Sequence, residues 1–139
     1  MKIAVLKESE PGERRVAATP ETVKKFIALG ASVAVEAGAG LSASVADADY
    51  ETAGAQLVGR AQAIDGADIL LVVQGPDPAG LAGAKPGALL VGALNPFGRR
   101  DRVDAYASTG LEAMAMEFAP RITRAQSMDI LSSQANLAG

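Results

Sequence analysis

A chain of 139 residues with a formal net charge of −3 offers no basic field for nucleic acid, and its length fits one domain that buries about two-thirds of its unfolded surface. Cysteine and histidine are both absent, which excludes disulfides, thiolate chemistry, the commonest metal ligand and the usual general base. With 49% hydrophobic residues but only three Phe, two Tyr and no Trp, the core must be built from Ala, Val, Leu and Ile, as in α/β layers.

The apolar, β-branched run 3–6 reads as a strand and the polar stretch 7–15 as the loop after it. Charge returns at Lys7, too soon for the apolar region of a signal peptide, and no later segment reaches the apolar length of a membrane span. Thr19 and Pro20 are the residue types of an N-cap and a first helical position. Val23, Phe26, Ile27 and Leu29 then form a buried stripe, which Gly30 ends. Residues 32–36 are a second strand. Directly after it, Gly38-Ala-Gly40-Leu-Ser-Ala43 meets the letters of a G-x-G-x-x-A dinucleotide fingerprint. A working fingerprint opens straight into a helix whose amides face a pyrophosphate. Here Ser, Asp and Val delay any helix start to Asp47 or Asp49, so a glycine turn is the preferred reading.

Residues 49–53 read as a short helix closed by Gly54, 56–58 as a strand, 61–64 as a helical turn and 68–73 as a buried strand. A breaker-rich connection over 75–87 leads to another buried strand at 88–92, and Asn95-Pro96-Phe97 turns the chain. An amphipathic helix over 101–108 ends at Gly110, and 111–116 is a last strand. This alternation predicts an α/β fold: a doubly wound, mainly parallel sheet with helices on both faces, flavodoxin-like or Rossmann-like.

From Ala125 onward the composition is helical, and at about 100° per residue Gln126, Asp129, Ser132, Ser133 and Asn136 share one polar arc. A solvated face is usually rich in Lys and Glu, whereas these short amide, carboxylate and hydroxyl groups suit fixed hydrogen bonds at close range. The pattern leaves a ligand-facing or subdomain-facing stripe and a solvated face equally open. Arg121 and Arg124 precede it, and are either an anion or carboxamide site beside helix amides or surface charges balancing Glu117.

The run Arg121-Ile-Thr-Arg-Ala-Gln-Ser-Met-Asp-Ile-Leu-Ser-Ser-Gln-Ala-Asn-Leu-Ala-Gly139 resembles the nicotinamide-site segment of the NAD(H)-binding component of proton-translocating NAD(P) transhydrogenases, a family related to the alanine dehydrogenases. Lys7-Glu8, Gly12-Glu-Arg-Arg-Val-Ala17 and Thr19-Pro20 are similar to that family as well. The resemblance implies that an Arg, a Gln, an Asp and a Ser surround the nicotinamide of NAD(H), and these fall on Arg121, Gln126, Asp129 and Ser132. Ser127 and Met128 lie in the same contact segment, Met128 through its backbone. It also implies that residues 1–139 are a single N-terminal subdomain with 124–139 the start of a connecting helix. A second, Rossmann-type subdomain lies outside this chain, which alone is expected to be inactive. NADP(H) is then held by a partner component, alongside membrane components, and the complete component is a homodimer placed in the cytoplasm at the inner membrane.

In related alanine dehydrogenases an arginine at the position of Arg15 holds the substrate carboxylate. Where those enzymes place a lysine this chain has Leu71-Val-Val-Gln-Gly-Pro76, and where they place a histidine it has Val91-Gly-Ala-Leu-Asn-Pro-Phe97. Oxidative deamination needs an acid/base group, whereas direct hydride transfer between two nicotinamides needs only two rings held close and correctly oriented. The residues thus favour a transhydrogenase over an alanine-dehydrogenase-like enzyme acting on a 2-oxo acid. A non-catalytic truncated or interaction domain is the further alternative.

Overall fold

The runs Ile3-Ala-Val, Val33-Ala-Val and Ile69-Leu-Leu-Val are apolar on both sides of the pleat, a pattern suited to parallel strands covered on both faces. The computed structural model describes residues 1–95 and 98–116, and places them so. Strands β1 (Lys2–Val5), β2 (Ser32–Glu36), β3 (Gln56–Val58), β4 (Ile69–Gln74), β5 (Leu89–Ala93) and β6 (Glu112–Ala115) form one sheet in the order β3-β2-β1-β4-β5-β6. Every pairing is parallel, so the expected mainly parallel sheet is wholly parallel among the described residues.

Helices α1 (Pro20–Ala28) and α2 (Asp47–Thr52) carry the chain outward from β1 to β2 and on to β3. They pack Val23, Phe26 and Tyr50 against Ile3, Val5, Val33, Val35 and Leu71. The chain then returns past β1, and helices α3 (Arg60–Ile64) and α4 (Arg100–Ser108) cover the other face. There Ala63, Ile64 and Tyr106 meet Ala4, Leu6, Leu70, Val72 and Leu90. Right-handed crossovers demand this change of face once the direction of travel reverses, and that makes the sheet doubly wound.

Thr19 caps α1 by accepting the Thr22 amide at 3.2 Å, Pro20 occupies the first position, and Gly30 leaves the helix with φ 98°. Val23 and Phe26 are buried as expected, but Leu29 is 46% exposed. It is the C-cap residue, one past the last helical position, and there the 100° periodicity no longer governs where a side chain points. Of the two candidate starts for the second helix the chain uses Asp47. Within 75–87 a 3₁₀ turn, Pro78–Leu81, is started by Asp77, whose carboxylate accepts the Ala79 amide at 3.0 Å. The expected helix over 124–139 lies outside the described residues.

Candidate functional site

In a parallel sheet all carboxyl ends share one edge, and a crevice opens where the strand order reverses, here between β1 and β4. The sequence furnishes that crevice with charge. After β1 comes Lys7-Glu-Ser-Glu-Pro-Gly-Glu-Arg-Arg15, and after β4 comes Gly75-Pro-Asp.

Glu8 ties the two together. Its carboxylate oxygens each accept a backbone amide, Val73 and Gln74, at 2.9 Å. Those amides lie where the β4–β5 register shifts between Leu71 and Gln74. Burial is the chief cause that pushes the Glu8 carboxyl above its ordinary value, and the two amides oppose it.

Two residues on, Glu10-Pro-Gly-Glu13 makes a turn closed by the Glu13 amide on the Glu10 carbonyl at 3.1 Å. Proline at the second position and Gly12 at φ 82° at the third are the demands of a type II turn. The turn throws Glu13 back onto the strand ends. Glu13 Oε1 accepts Gln74 Nε2 at 2.7 Å and Arg15 Nη2 at 2.9 Å, while Oε2 accepts Arg15 Nε at 3.0 Å and the Arg15 amide at 2.9 Å. The Arg15 contact first, and Gln74 second, holds the Glu13 carboxyl down to about 2.

The remaining groups brace this edge. Arg102 of α4 donates through Nη1 to Glu10 Oε1 and to the Gly75 carbonyl, both at 2.9 Å, and the Tyr106 hydroxyl donates to the Pro76 carbonyl. On the β2 side, Glu36 Oε2 accepts the Lys7 amide at 2.6 Å and Arg60 Nη1 at 3.0 Å, and Arg60 Nε donates to the Gly80 carbonyl at 2.7 Å. The β4 loop is therefore held through its amides by Glu8 and through its carbonyls by α4, a preorganised platform.

The edge lacks the seat of a dinucleotide among the described residues. The glycine turn follows β2, whereas the strand order calls for a phosphate loop after β1. Gly38 has φ 84° and donates its amide to Asp47 Oδ1 at 3.0 Å; the chain then makes a three-residue 3₁₀ turn, Leu41–Ala43, and opens no α-helix there. The preferred glycine-turn reading stands. Glu36, at the end of β2 where a ribose-binding carboxylate would sit, is taken by Lys7 and Arg60. No group of three or more Asp or Glu that could hold a metal occurs among the described residues.

Of the residues expected to contact nicotinamide, Arg121, Gln126, Ser127, Met128, Asp129 and Ser132 all lie outside the described residues. Arg15 is in place, engaged with Glu13. Sequence reasoning missed Glu8, Glu13, Gln74 and Arg102 as a group. The Pro11-Gly12 pair was the available signal for the turn that brings Glu13 back, but no local pattern points from Glu8 to Val73.

A wholly parallel, doubly wound sheet in this strand order, with a polar crevice at its switch point, is a Rossmann-like α/β domain. Within that class, residues 4–138 match the family described as "Alanine dehydrogenase/PNT, N-terminal domain", and the chain belongs to it. It is 49% identical over its whole length to an NAD(P) transhydrogenase alpha subunit of Rhodospirillum rubrum, covering 38% of that protein. An alanine dehydrogenase of Mycobacterium tuberculosis is 36% identical over 84% of the chain and 32% of its own length. Among solved structures, the transhydrogenase from Sinorhizobium meliloti superposes with a TM-score of 0.84 at 46% identity, over 99% of this chain and 41% of that one. The chain thus spans less than half the length of these relatives. Among the described residues no helix is long and apolar enough to cross a membrane.

Proposed function

We propose that this chain is the N-terminal subdomain of the NAD(H)-binding component of a proton-translocating NAD(P) transhydrogenase. The observation that carries this is the 49% identity along the whole chain to a transhydrogenase alpha subunit, against 36% over 84% of the chain for an alanine dehydrogenase. The residues agree: the run Leu71-Val-Val-Gln-Gly-Pro76, where the dehydrogenases place a lysine-bearing strand end, contains no lysine, and the sequence contains no histidine to manage an amine proton.

In this reading Arg121, Gln126, Asp129 and Ser132, with Ser127 and Met128, contact the nicotinamide end of NAD(H). Their role is to orient the ring, and none exchanges a proton. When bound, NADH would supply a hydride, and NADP+ held by a partner component would accept it, leaving NAD+ and NADPH. The adenine half sits on a second, Rossmann-type subdomain of the complete component, which is a homodimer docked from the cytoplasm on membrane components. The described edge contributes a rigid floor, since Glu8, Arg102 and Tyr106 fix the loop after β4.

The test is NADH oxidation by an acetylpyridine analogue of NADP in the complete component with its partners, set against pyruvate with ammonium. Turnover with the analogue alone supports the proposal, turnover with pyruvate and ammonium supports an alanine-dehydrogenase-like enzyme, and turnover with neither a non-catalytic domain.

A further inference from the structure

After β4 the chain must return to the opposite edge of the sheet before it can enter β5, and it does so without an α-helix. Three prolines and four glycines within 75–87 deny this stretch the regular amide ladder of a helix. Its two ends are pinned. At one, Arg102 and Tyr106 hold the carbonyls of Gly75 and Pro76. At the other, Lys85 pairs with Asp68, and the Gly87 amide donates to the Gly110 carbonyl at 2.7 Å. Between them, residues 77–84 make a single hydrogen bond with the rest of the described chain: Arg60 Nε donates to the Gly80 carbonyl at 2.7 Å. Gly80 leaves room for it, since a Cβ there would lie 3.1 Å from Arg60 Nη2. The buried apolar anchor of this span is Leu81, which joins Ala63 and Ile64 of α3 and Tyr106 of α4 in the core.

We propose that residues 77–84 form a flap, latched by Arg60, which lifts from between α3 and α4 while the sheet and the loop after β4 stay folded. Segments that open locally are those with few buried apolar contacts and few tertiary hydrogen bonds, and this span relies on Leu81 and Arg60. The latch also reaches beyond the flap. Arg60 Nη1 donates to Glu36 Oε2 at 3.0 Å and to the Lys7 carbonyl at 3.4 Å, at the end of β2 and just past β1. Those contacts aim the guanidinium. A group that draws Glu36 away from Arg60 therefore loosens the flap, and closing the flap in turn favours the Glu36–Arg60 pair. Arg60 thus links the state of that strand edge to the cover over α3 and α4. The inference rests on the fold and is independent of the transhydrogenase reading.

The test is amide hydrogen exchange of the full chain, read residue by residue by NMR. The amides of Gly80, Ala82 and Ala84 bond only within the flap, and their protection is expected to be at least about tenfold below that of the Leu6 and Leu89 sheet amides and insensitive to low denaturant. Arg60→Met lowers the flap protection by a further factor of about ten, the effect of losing a charge-assisted hydrogen bond. Glu36→Gln, which bonds to no flap residue, lowers it too, and the double variant goes no further than Arg60→Met alone. Tyr50→Phe, which weakens the opposite face, lowers protection at Leu6 and Leu89 and leaves the flap as in wild type. If Arg60→Met does not fold, Glu36→Gln carries the test of the latch. Flap protection that equals that of Leu6 and Leu89 and falls with Tyr50→Phe overturns the inference, as does a folded Arg60→Met or Glu36→Gln variant with wild-type flap exchange.

Discussion

The ring of Tyr50 closes over Gly40 so tightly that a Cβ built on Gly40 would lie 2.7 Å from Tyr50 Cε2 and 2.8 Å from the Val45 Cβ. Gly40 has φ −92°, a conformation open to any residue, so it is glycine for want of space. Gly40→Ala forces the buried ring and the 44–47 loop apart and lowers stability by about 1–3 kcal/mol, the usual cost of overpacking. Denaturant unfolding measures it, and a variant as stable as wild type would show that the contact is slack.

Tyr50 is wholly buried and donates its hydroxyl to the Ala18 carbonyl at 2.7 Å. Burial, with Asp47 second, pushes its phenol up to about 12. Tyr50→Phe strips that carbonyl of its partner and costs about 1–3 kcal/mol. In wild type the ultraviolet signature of tyrosinate from Tyr50 appears only above the ordinary range near 10, and a normal titration of both tyrosines would refute the buried contact.

Two carboxylates of the crevice carry opposite pH signatures. Glu13 is depressed to about 2, so its contribution to stability is complete above its ordinary 4.5 and is lost as the pH falls through about 2. Glu8 is raised above 4.5, so its contribution is complete below 4.5 and is lost as the pH rises through the folded value. Carboxyl carbon shifts followed against pH are expected to show Glu13 titrating first from the acid side and Glu8 later. The reverse order would mean that Arg15 and Gln74 do not hold Glu13 in solution.

In the complete component, Asp129→Asn and Gln126→Ala are expected to slow hydride transfer far more than they unfold the protein. Surface polar replacements stay within about 0.5 kcal/mol of wild type. Melting temperature and turnover per folded molecule separate the two effects. A collapse in melting temperature with turnover intact would make the polar stripe of 126–136 a structural feature.

The 139-residue chain by itself is expected to bind NADH at about millimolar strength or weaker, near −4 kcal/mol, because half a ligand's contacts cannot offset the full entropy cost of association. The described edge agrees, with Glu36 engaged and no phosphate loop after β1. Calorimetric titration decides the matter, and a one-to-one micromolar isotherm would place the dinucleotide seat within these residues.

Strands 32–36 and 56–58 were legible to the residue, and α1 to its cap, because turn-forming and capping residues bracket them: Thr19-Pro20, Gly30, Gly38, Gly54 and Gly59. The alternation of elements was enough for a parallel doubly wound class. Leu29 misled because spacing alone does not mark where a helix hands over to its cap. The crevice was out of reach for a different reason: Glu8 meets Val73 and Gln74 across 65 and 66 positions, and such pairs follow from strand order, which no local pattern encodes. The residues expected to contact nicotinamide were named from resemblance to a family and lie outside the described residues.

Strand β1 precedes the other five described strands along the chain and lies at the heart of the sheet, with Val5 between Val35 on one flank and Leu71 on the other. Within the sheet, β2 and β3 are joined to β4, β5 and β6 only through it. Its second flank stays empty until β4 emerges from the ribosome, since Ile3 waits for Ile69. At about 5–20 residues per second that wait lasts roughly 3–13 seconds. For that time β1 keeps one unpaired, apolar edge, the kind of template on which strands of neighbouring chains pair, so clean folding is favoured by whatever covers Lys2–Val5 during synthesis.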